Sequence, residues 1–434
     1  MDKMADVLGR AGAWCGQNKY LSAIKNAFQN FMPLTIAGAI GVLWCNVLVN
    51  ETTGLGMFFK PIMALDFLNP AFQAVNFCTI SCITVGITLG IAQEIGIWNM
   101  GAEKAGYIPG LVGLAAWLSV TNTSHVVDGA KEAFTGVAGN ELGATGLFTG
   151  MIIGVLSVEL FCFFEKQDAL KIKMPEQVPP GVARAFEVLV PATITLIITA
   201  CIGSACYNLT GLYLNDVIKN GIQGPLGAVG ATIPGVMIIY LVIMLFWLVG
   251  IHGNNMLSAV KEALFTPLAL ENVEKFNKGE KPTNIINMYA LQMWGEFGGS
   301  GVTIGLVIAI MIFGKREDNK AIATLSLVPG LFNINETVTF GIPMVLNPIL
   351  GIPFVFACLV TIIVGYVLTV IGFCPVACLT VPWTTPPIVF GFLACGANVM
   401  GAVTQAILIV VSTVIYVPFL ISYEKYQNKQ AAEA

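Results

Sequence analysis

Asn333-Ile334-Asn335-Glu336-Thr337-Val338-Thr339-Phe340-Gly341 is the stretch on which the reading of this chain turns. Between Lys320 and Glu424 lie 103 residues, and Glu336 is the only Asp, Glu, Lys or Arg among them. A carboxylate is costly in so apolar a setting: a charge at the middle of a bilayer costs about 2.5–3.5 kcal/mol on insertion scales. Acids kept inside membrane segments mark substrate or ion paths and pair with a neighbour. Glu336 is therefore a functional candidate, and its surroundings decide what it serves.

Those surroundings are membrane-like throughout. The 434 residues are 56% hydrophobic and 11% charged, whereas a soluble domain carries about a quarter charged residues. Long uncharged runs in lipid mean helices, because each segment must satisfy its own backbone hydrogen bonds. The fold class expected is all-α, a polytopic membrane protein of about ten transmembrane helices. The net charge of −4 does not point to nucleic acid. Most of the 11 cysteines, Cys45, Cys78, Cys358 and Cys374 among them, sit in apolar runs without C-x-x-C pairs or a nearby His. They read as small apolar residues in a reduced setting, not as a disulfide framework or metal site, and no cofactor is expected. Asp2, Lys3, Asp6 and Arg10 break up the N-terminus before any apolar core, which argues against a signal peptide.

Leu21, Ile24, Phe28 and Phe31 fall at helical spacing within residues 1–31, which predicts an interfacial helix before the first span. Uncharged runs at 26–50, 67–93, 105–127, 142–158 and 188–215 predict five spans. The segment 165–187, with Lys166, Lys171, Lys173, Arg184, Pro175, Pro179 and Pro180, reads as a charged linker between two halves. Lys3, Arg10, Lys19 and Lys25 crowd the N-terminus, while Lys60, Lys131 and Lys219 stand alone in later loops. Both termini are therefore expected in the cytoplasm.

The second half is less regular. Spans are expected at 225–249, 297–313, 354–373 and 399–421, the last two charged ends being Lys315 to Lys320 and Glu424 to Lys429. For both ends to be inside, 251–296 must hide another crossing or a membrane-dipping hairpin. A second re-entrant hairpin is expected around Asn333 to Glu336, flanked by Pro329-Gly330, Gly341-Ile342-Pro343, Asn347-Pro348 and Gly351-Ile352-Pro353. Pro375 to Pro387 is a further broken stretch. Interrupted segments carrying polar residues point to a transporter site near the midplane.

Glu336 could accept a sugar hydroxyl's hydrogen bond or take its proton. His252, between Gly250 and Gly253, could hold a phosphoryl oxygen or a hydroxyl. Asn254, Asn255, Asn333 and Asn335 offer the donors and acceptors that sugar hydroxyls need, or cap the hairpin arms. Trp383, next to Thr384, could cover a sugar ring or anchor at the interface. His125 is expected to be solvated, and Glu94 and Glu159 structural. In Glu296-Phe297-Gly298-Gly299-Ser300-Gly301, the glycines read as close helix packing. No Walker loop is present, so no nucleotide use is implied.

Gly250-Ile251-His252-Gly253, followed by Asn333-Ile334-Asn335-Glu336, Phe340-Gly341-Ile342-Pro343 and Asn347-Pro348, resembles the membrane component (enzyme IIC) of bacterial sugar phosphotransferase systems. The lactose/cellobiose/diacetylchitobiose branch is the nearest match. Ala23-Ile24-Lys25-Asn26-Ala27-Phe28, Met32-Pro33-Leu34-Thr35 and Gly298-Gly299-Ser300-Gly301 fit as well. The resemblance implies a ten-span homodimer in the bacterial plasma membrane, with an N-terminal dimer scaffold over 32–164. It implies a sugar-carrying domain with two re-entrant hairpins over 225–423. The intervening blocks are the 165–187 linker, 188–224 with the fifth span, and a cytoplasmic tail at 424–434. The family's His and Glu correspond to His252 and Glu336, and the partners implied are a sugar, a cytosolic IIB subunit with IIA upstream, and the bilayer. The IIB phosphocysteine would phosphorylate the sugar's primary hydroxyl; without IIB the chain would not act as an enzyme. No IIA or IIB domain is expected within the chain. Thr337 stands where relatives commonly have Pro, and Glu296 where they are often apolar. The competing readings are an ion-coupled secondary sugar transporter, in which Glu336 and His252 would relay protons, and an enzyme acting on lipid-linked sugar.

Overall fold

Among the described residues, six helical stretches are long and apolar enough to cross a membrane. They are Lys19–Leu48, Lys60–Met100, Ala144–Glu165, Pro180–Thr210, Gly351–Val370 and Val399–Glu433. Three shorter apolar helices, Ile108–Val120, Ile233–Leu248 and Ile304–Phe313, accompany them. The computed structural model describes residues 10, 14, 17–51, 55–125, 134–175, 177–225, 230–342 and 344–433. Asp2, Lys3, Asp6, Lys131 and Pro343 lie outside them. The protein is an all-α polytopic membrane protein. One two-residue antiparallel ladder, β1 (Ser124–His125) with β2 (Phe134–Thr135), pairs Ser124 with Thr135 and His125 with Phe134. The His125 side chain lies outside the described residues.

The chain divides into two units, one of Gln17–Gly38 and Val75–Gly227, the other mainly of Ala39–Ala74 and Ala228–Ala434. The first is held by small residues. Its central helix, α3 (Ile83–Met100), packs on α4 (Ile108–Val120) and α5 (Ala144–Glu165). A Cβ on Gly113 would stand 2.3 Å from the Ala92 Cβ, and one on Gly150 2.2 Å from Thr88 Oγ1. Glycine is thus what lets these backbones approach, the packing mode that replaces a hydrophobic driving force in lipid. α1 (Lys19–Leu43) uses the same device, with Gly90 over Ala27 and Gly86 under the Phe31 ring.

That helix takes up the stripe predicted within residues 1–31, most of residues 1–16 lying outside the described residues. α1 runs unbroken from Lys19 through Pro33 to Leu43, so Leu21, Ile24, Phe28 and Phe31 lie on the first spanning helix itself. In its first half the buried positions are Ala23 and Ala27, beside the predicted stripe, and further on Ala39 and Val42 are buried. Glu94 accepts from Asn26 at 2.9 Å and Glu159 pairs with Lys19 at 2.5 Å, the structural roles expected of both. After α2 (Asn69–Cys78), α3, α4 and α5, the linker holds a 3-10 turn at Asp168–Leu170, and α6 (Pro180–Thr210) starts inside it with prolines at its first turn, where they cost no hydrogen bond.

The second unit is built from interrupted segments. α7 (Ile233–Leu248) ends in a turn at Val249 to His252, and a four-residue helix α8 (Gly253–Met256) leads into α9 (Ser258–Asn277). α9 lies beside α10 (Met288–Gly295) as a helical hairpin: Asn272 Nδ2 donates to Asn284 O at 2.8 Å and Asn284 Nδ2 to Leu268 O at 3.0 Å. These bonds fix the connection that hydropathy left unresolved over 251–296.

The span expected over 297–313 is helical only from Ile304, as α11 (Ile304–Phe313). Gly298, Gly299 and Gly301 take φ of 69°, 87° and 77°. This left-handed backbone suits glycine, so the glycines break the span rather than pack a continuous helix. α12 (Glu317–Leu331) and α13 (Glu336–Gly341) form a second hairpin, Gly341 returning to within 2.8 Å (as a Cβ) of Ile322. α14 (Gly351–Val370) passes Gly301, Gly295 and Trp294 in turn through Phe354, Ile362 and Gly365, so it runs antiparallel to α10. Residues 371–388 are irregular up to α15 (Val389–Ala394), as their prolines predict. α16 (Val399–Glu433) then spans the whole unit, twelve residues beyond the expected end at 421. Its Gln405 donates to Met293 O (3.3 Å), its Tyr416 to Gly301 O (2.8 Å), and its Glu424 accepts from Lys315 N (2.9 Å).

Candidate functional site

Four interruptions in the second unit meet: the turn after α7, the break between α10 and α11, the α12–α13 tip, and the 382–388 loop. At each the chain leaves the helix where glycine, proline or asparagine stands. The backbone there is tied by side chains rather than by its own ladder.

His252 caps α8, its Nδ1 accepting from Asn255 N at 3.3 Å. With Nδ1 an acceptor, the ring proton of the neutral imidazole sits on Nε2. Nε2 stands 3.9 Å from Glu336 Oε1, and both side chains are partly exposed, at 39% and 48%. That gap is too long for a direct hydrogen bond. It suits a hydroxyl that accepts from one group and donates to the other. The His252 ring lies against Trp247, with centroids 4.5 Å apart. The Trp247 indole nitrogen is buried with no hydrogen-bond partner among the described residues.

Glu336 is the first residue of α13, where an acid complements the helix N-terminus. Asn333 holds the tip that presents it. At φ 63° it occupies the left-handed region that Asn tolerates better than most residues. Its amide donates to Trp383 O and to Thr385 O (3.0 Å) and accepts from Gly298 N (2.7 Å). Asn335 is buried, and its Nδ2 donates to Ser300 O at 2.8 Å. Asn254 Nδ2 donates to Ser300 Oγ at 3.0 Å. Ser300 thus receives one amide from each side of the His252–Glu336 gap.

Of the residues read from sequence, His252, Asn254, Asn333, Asn335 and Glu336 converge. Trp383 joins through its backbone carbonyl, and its ring remains 45% exposed. Asn255 contributes its N–H to His252, and Thr384 sits in the turn closed by Thr385 N on Pro382 O (2.9 Å). Neither the Asn255 nor the Thr384 side chain makes a hydrogen bond among the described residues. Sequence reasoning missed Ser300, Lys261 and Tyr240, and gave Glu296 no role. Lys261 is buried and ion-paired to Glu296, which also accepts from Tyr240 Oη at 2.6 Å. The missed signal was Lys261 itself, a cation in the first turn of a helix, where the macrodipole disfavours it. No group of three or more His, Cys, Asp or Glu that could hold a metal occurs among the described residues.

Comparison with known proteins adds to this geometry. Residues 25–358 match the family described as Phosphotransferase system, EIIC. The chain is 32% identical over 429 residues to the PTS system oligo-beta-mannoside-specific EIIC component of Bacillus subtilis (strain 168), covering 98% of this chain and 94% of that protein. It is 29% identical over 486 residues to the PTS system cellobiose-specific EIIC component of Lactococcus lactis subsp. lactis (strain IL1403), covering 98% of both. Among solved structures it is similar to the transporter ChbC, the IIC component from the N,N'-diacetylchitobiose-specific phosphotransferase system. That likeness has a TM-score of 0.88 at 29% identity and covers 97% of each chain.

Proposed function

We propose, from the premise that this chain belongs to the phosphotransferase system EIIC family, that it imports a β-linked disaccharide and presents the sugar's 6-hydroxyl for phosphorylation. The partners are a cytosolic IIB subunit, which carries the phosphoryl group on a cysteine, and IIA upstream of it. Both termini face the cytoplasm, and the working unit is a homodimer that moves the sugar inward by alternating access.

The observation that carries this reading is the His252–Glu336 gap, 3.9 Å wide between two partly exposed side chains. A primary hydroxyl placed there donates to Glu336 and accepts from His252 Nε2. As the hydroxyl oxygen attacks phosphorus, the S–P bond to the IIB cysteine breaks, the thiolate departs, and the hydroxyl proton passes to Glu336. Phosphoryl transfer asks mainly for positioning and charge handling. Two side chains facing one hydroxyl, each carried on a tip tied by asparagines, supply both. Asn254, Asn333 and Asn335 hold the tips, and the exposed Trp383 ring offers an apolar face for a pyranose.

The relatives are specific for oligo-beta-mannoside, cellobiose and N,N'-diacetylchitobiose by name, which favours a β-linked sugar here. Titrating the purified protein in lipid with cellobiose, lactose and diacetylchitobiose tests the class. Saturable binding of at least one, with no binding of maltose, is expected. Binding of none, or equal binding of the α-linked sugar, contradicts it.

A further inference from the structure

Lys261 and Glu296 each carry a charge at the wrong end of a helix. Lys261 is the fourth residue of α9, and Glu296 immediately follows α10. Helix N-termini favour acids and C-termini favour bases, so neither residue is placed for its own helix. They are placed for each other, as a buried ion pair closed by the Tyr240 hydroxyl at 2.6 Å from Glu296 Oε1. Local preferences broken in this way are a sign of functional constraint.

The pair reaches the site through one amide. Lys261 Nζ donates to Asn254 Oδ1 at 3.4 Å, which turns Asn254 Nδ2 toward Ser300 Oγ at 3.0 Å. The Ser300 carbonyl accepts from Asn335 at 2.8 Å. Asn254 is two residues from His252, and Asn335 is one residue from Glu336. The two facing tips are therefore referenced to a single residue. Gly298 and Gly299, at φ 69° and 87°, let the backbone present Ser300 to both. An apolar pair of equal volume would hold α9 to α10 as well or better. It could not orient the amide.

We propose that Lys261 and Glu296 are positioning residues for the phosphorylation step, fixing through Asn254 and Ser300 the distance between His252 and Glu336. This rests on the phosphotransferase reading above. It assigns the pair no contact with sugar, so its loss slows transfer while leaving affinity nearly intact.

The test uses full-length protein in lipid, with cellobiose and diacetylchitobiose as probes and a phosphorylated cognate IIB as donor. Wild type is compared with Lys261→Met/Glu296→Gln, Ser300→Ala and the triple variant. The double replacement removes both charges of the pair together, so its Tm reports folding separately. With Tm retained, the double variant is expected to lose about tenfold or more in kcat while KM stays within about threefold. Ser300→Ala is expected to lose a similar amount, and the triple variant no more than about twofold beyond either, because the changes lie on one path. Unchanged kcat at retained Tm overturns the proposal. So does a loss that multiplies in the triple variant, or one in which kcat, KM and Tm fall together. If wild type itself forms no sugar phosphate with phosphorylated IIB, the phosphotransferase reading fails first, which separates the two failures.

Discussion

Glu336 Oε1 faces His252 Nε2 across 3.9 Å, each carried on the tip of a different broken helix pair and both tied to Ser300 through a neighbouring asparagine. Replacing Glu336 by Gln keeps the shape and removes the proton acceptor. Phosphorylation by IIB is expected to fall by about a hundredfold or more while the sugar Kd rises by less than about fivefold. Single-turnover transfer and equilibrium binding, measured on the same preparation, check this.

His252→Ala removes both the group facing Glu336 and the cap on α8. Affinity and turnover should both drop. His252→Asn, which can still accept from the Asn255 N–H as a cap, should recover part of the binding but not the turnover. Equal recovery of both would show that the ring acts only as a cap.

Asn333→Ala removes an amide with three partners at a left-handed position. Asn333→Gly removes the same bonds but keeps the backbone at ease. Both should weaken sugar binding, as the Trp383 loop loses its tie. Ala should also lower stability relative to Gly, by about 1 kcal/mol or more, the cost of a left-handed conformation without a supporting side chain.

Gly299→Ala is expected to be worse. A Cβ there would stand 2.6 Å from Asn335 Cβ and Cγ, at φ 87°. The clash falls on a buried side chain fixed by Ser300, so it displaces the Glu336 tip. A loss of about 2–4 kcal/mol or failure to accumulate in the membrane is the expected outcome, read by thermal unfolding in detergent.

Glu424 tests the scaffold apart from the site. Its carboxylate is buried and accepts from Lys315 N (2.9 Å), Arg316 N (3.3 Å) and Asn319 Nδ2 (3.2 Å), so α16 anchors the start of α12. Glu424→Ala leaves two backbone donors without partners, at about 1–3 kcal/mol each when buried. Faster amide exchange at 315–319 with little change in sugar Kd is expected.

Much of this site was legible because its residues are rare where they stand. Glu336 is the lone charge in a long apolar run, and His252 is one of only two histidines. Both stand out by composition alone, and the Gly and Pro around them announced broken helices. The membrane fold followed from the same hydropathy. Ser300 was illegible because a serine among glycines carries no charge and no periodicity. Its role is visible only when Asn254 and Asn335, 81 positions apart in the chain, are seen on it. Glu296 and Lys261 were each readable as charges, but a pair separated by 35 residues in a region of weak hydropathy has no sequence signature of contact. The start of α1 was not legible because an amphipathic stripe and the start of a span share one helical period.

The most direct test supplies membrane vesicles holding this protein with radiolabelled cellobiose or diacetylchitobiose and phosphorylated IIB. Sugar 6-phosphate should form on the IIB side in proportion to IIB dephosphorylated, and Glu336→Gln should abolish it. Accumulation of unmodified sugar against its gradient, driven by an ion gradient and indifferent to IIB, would contradict the account.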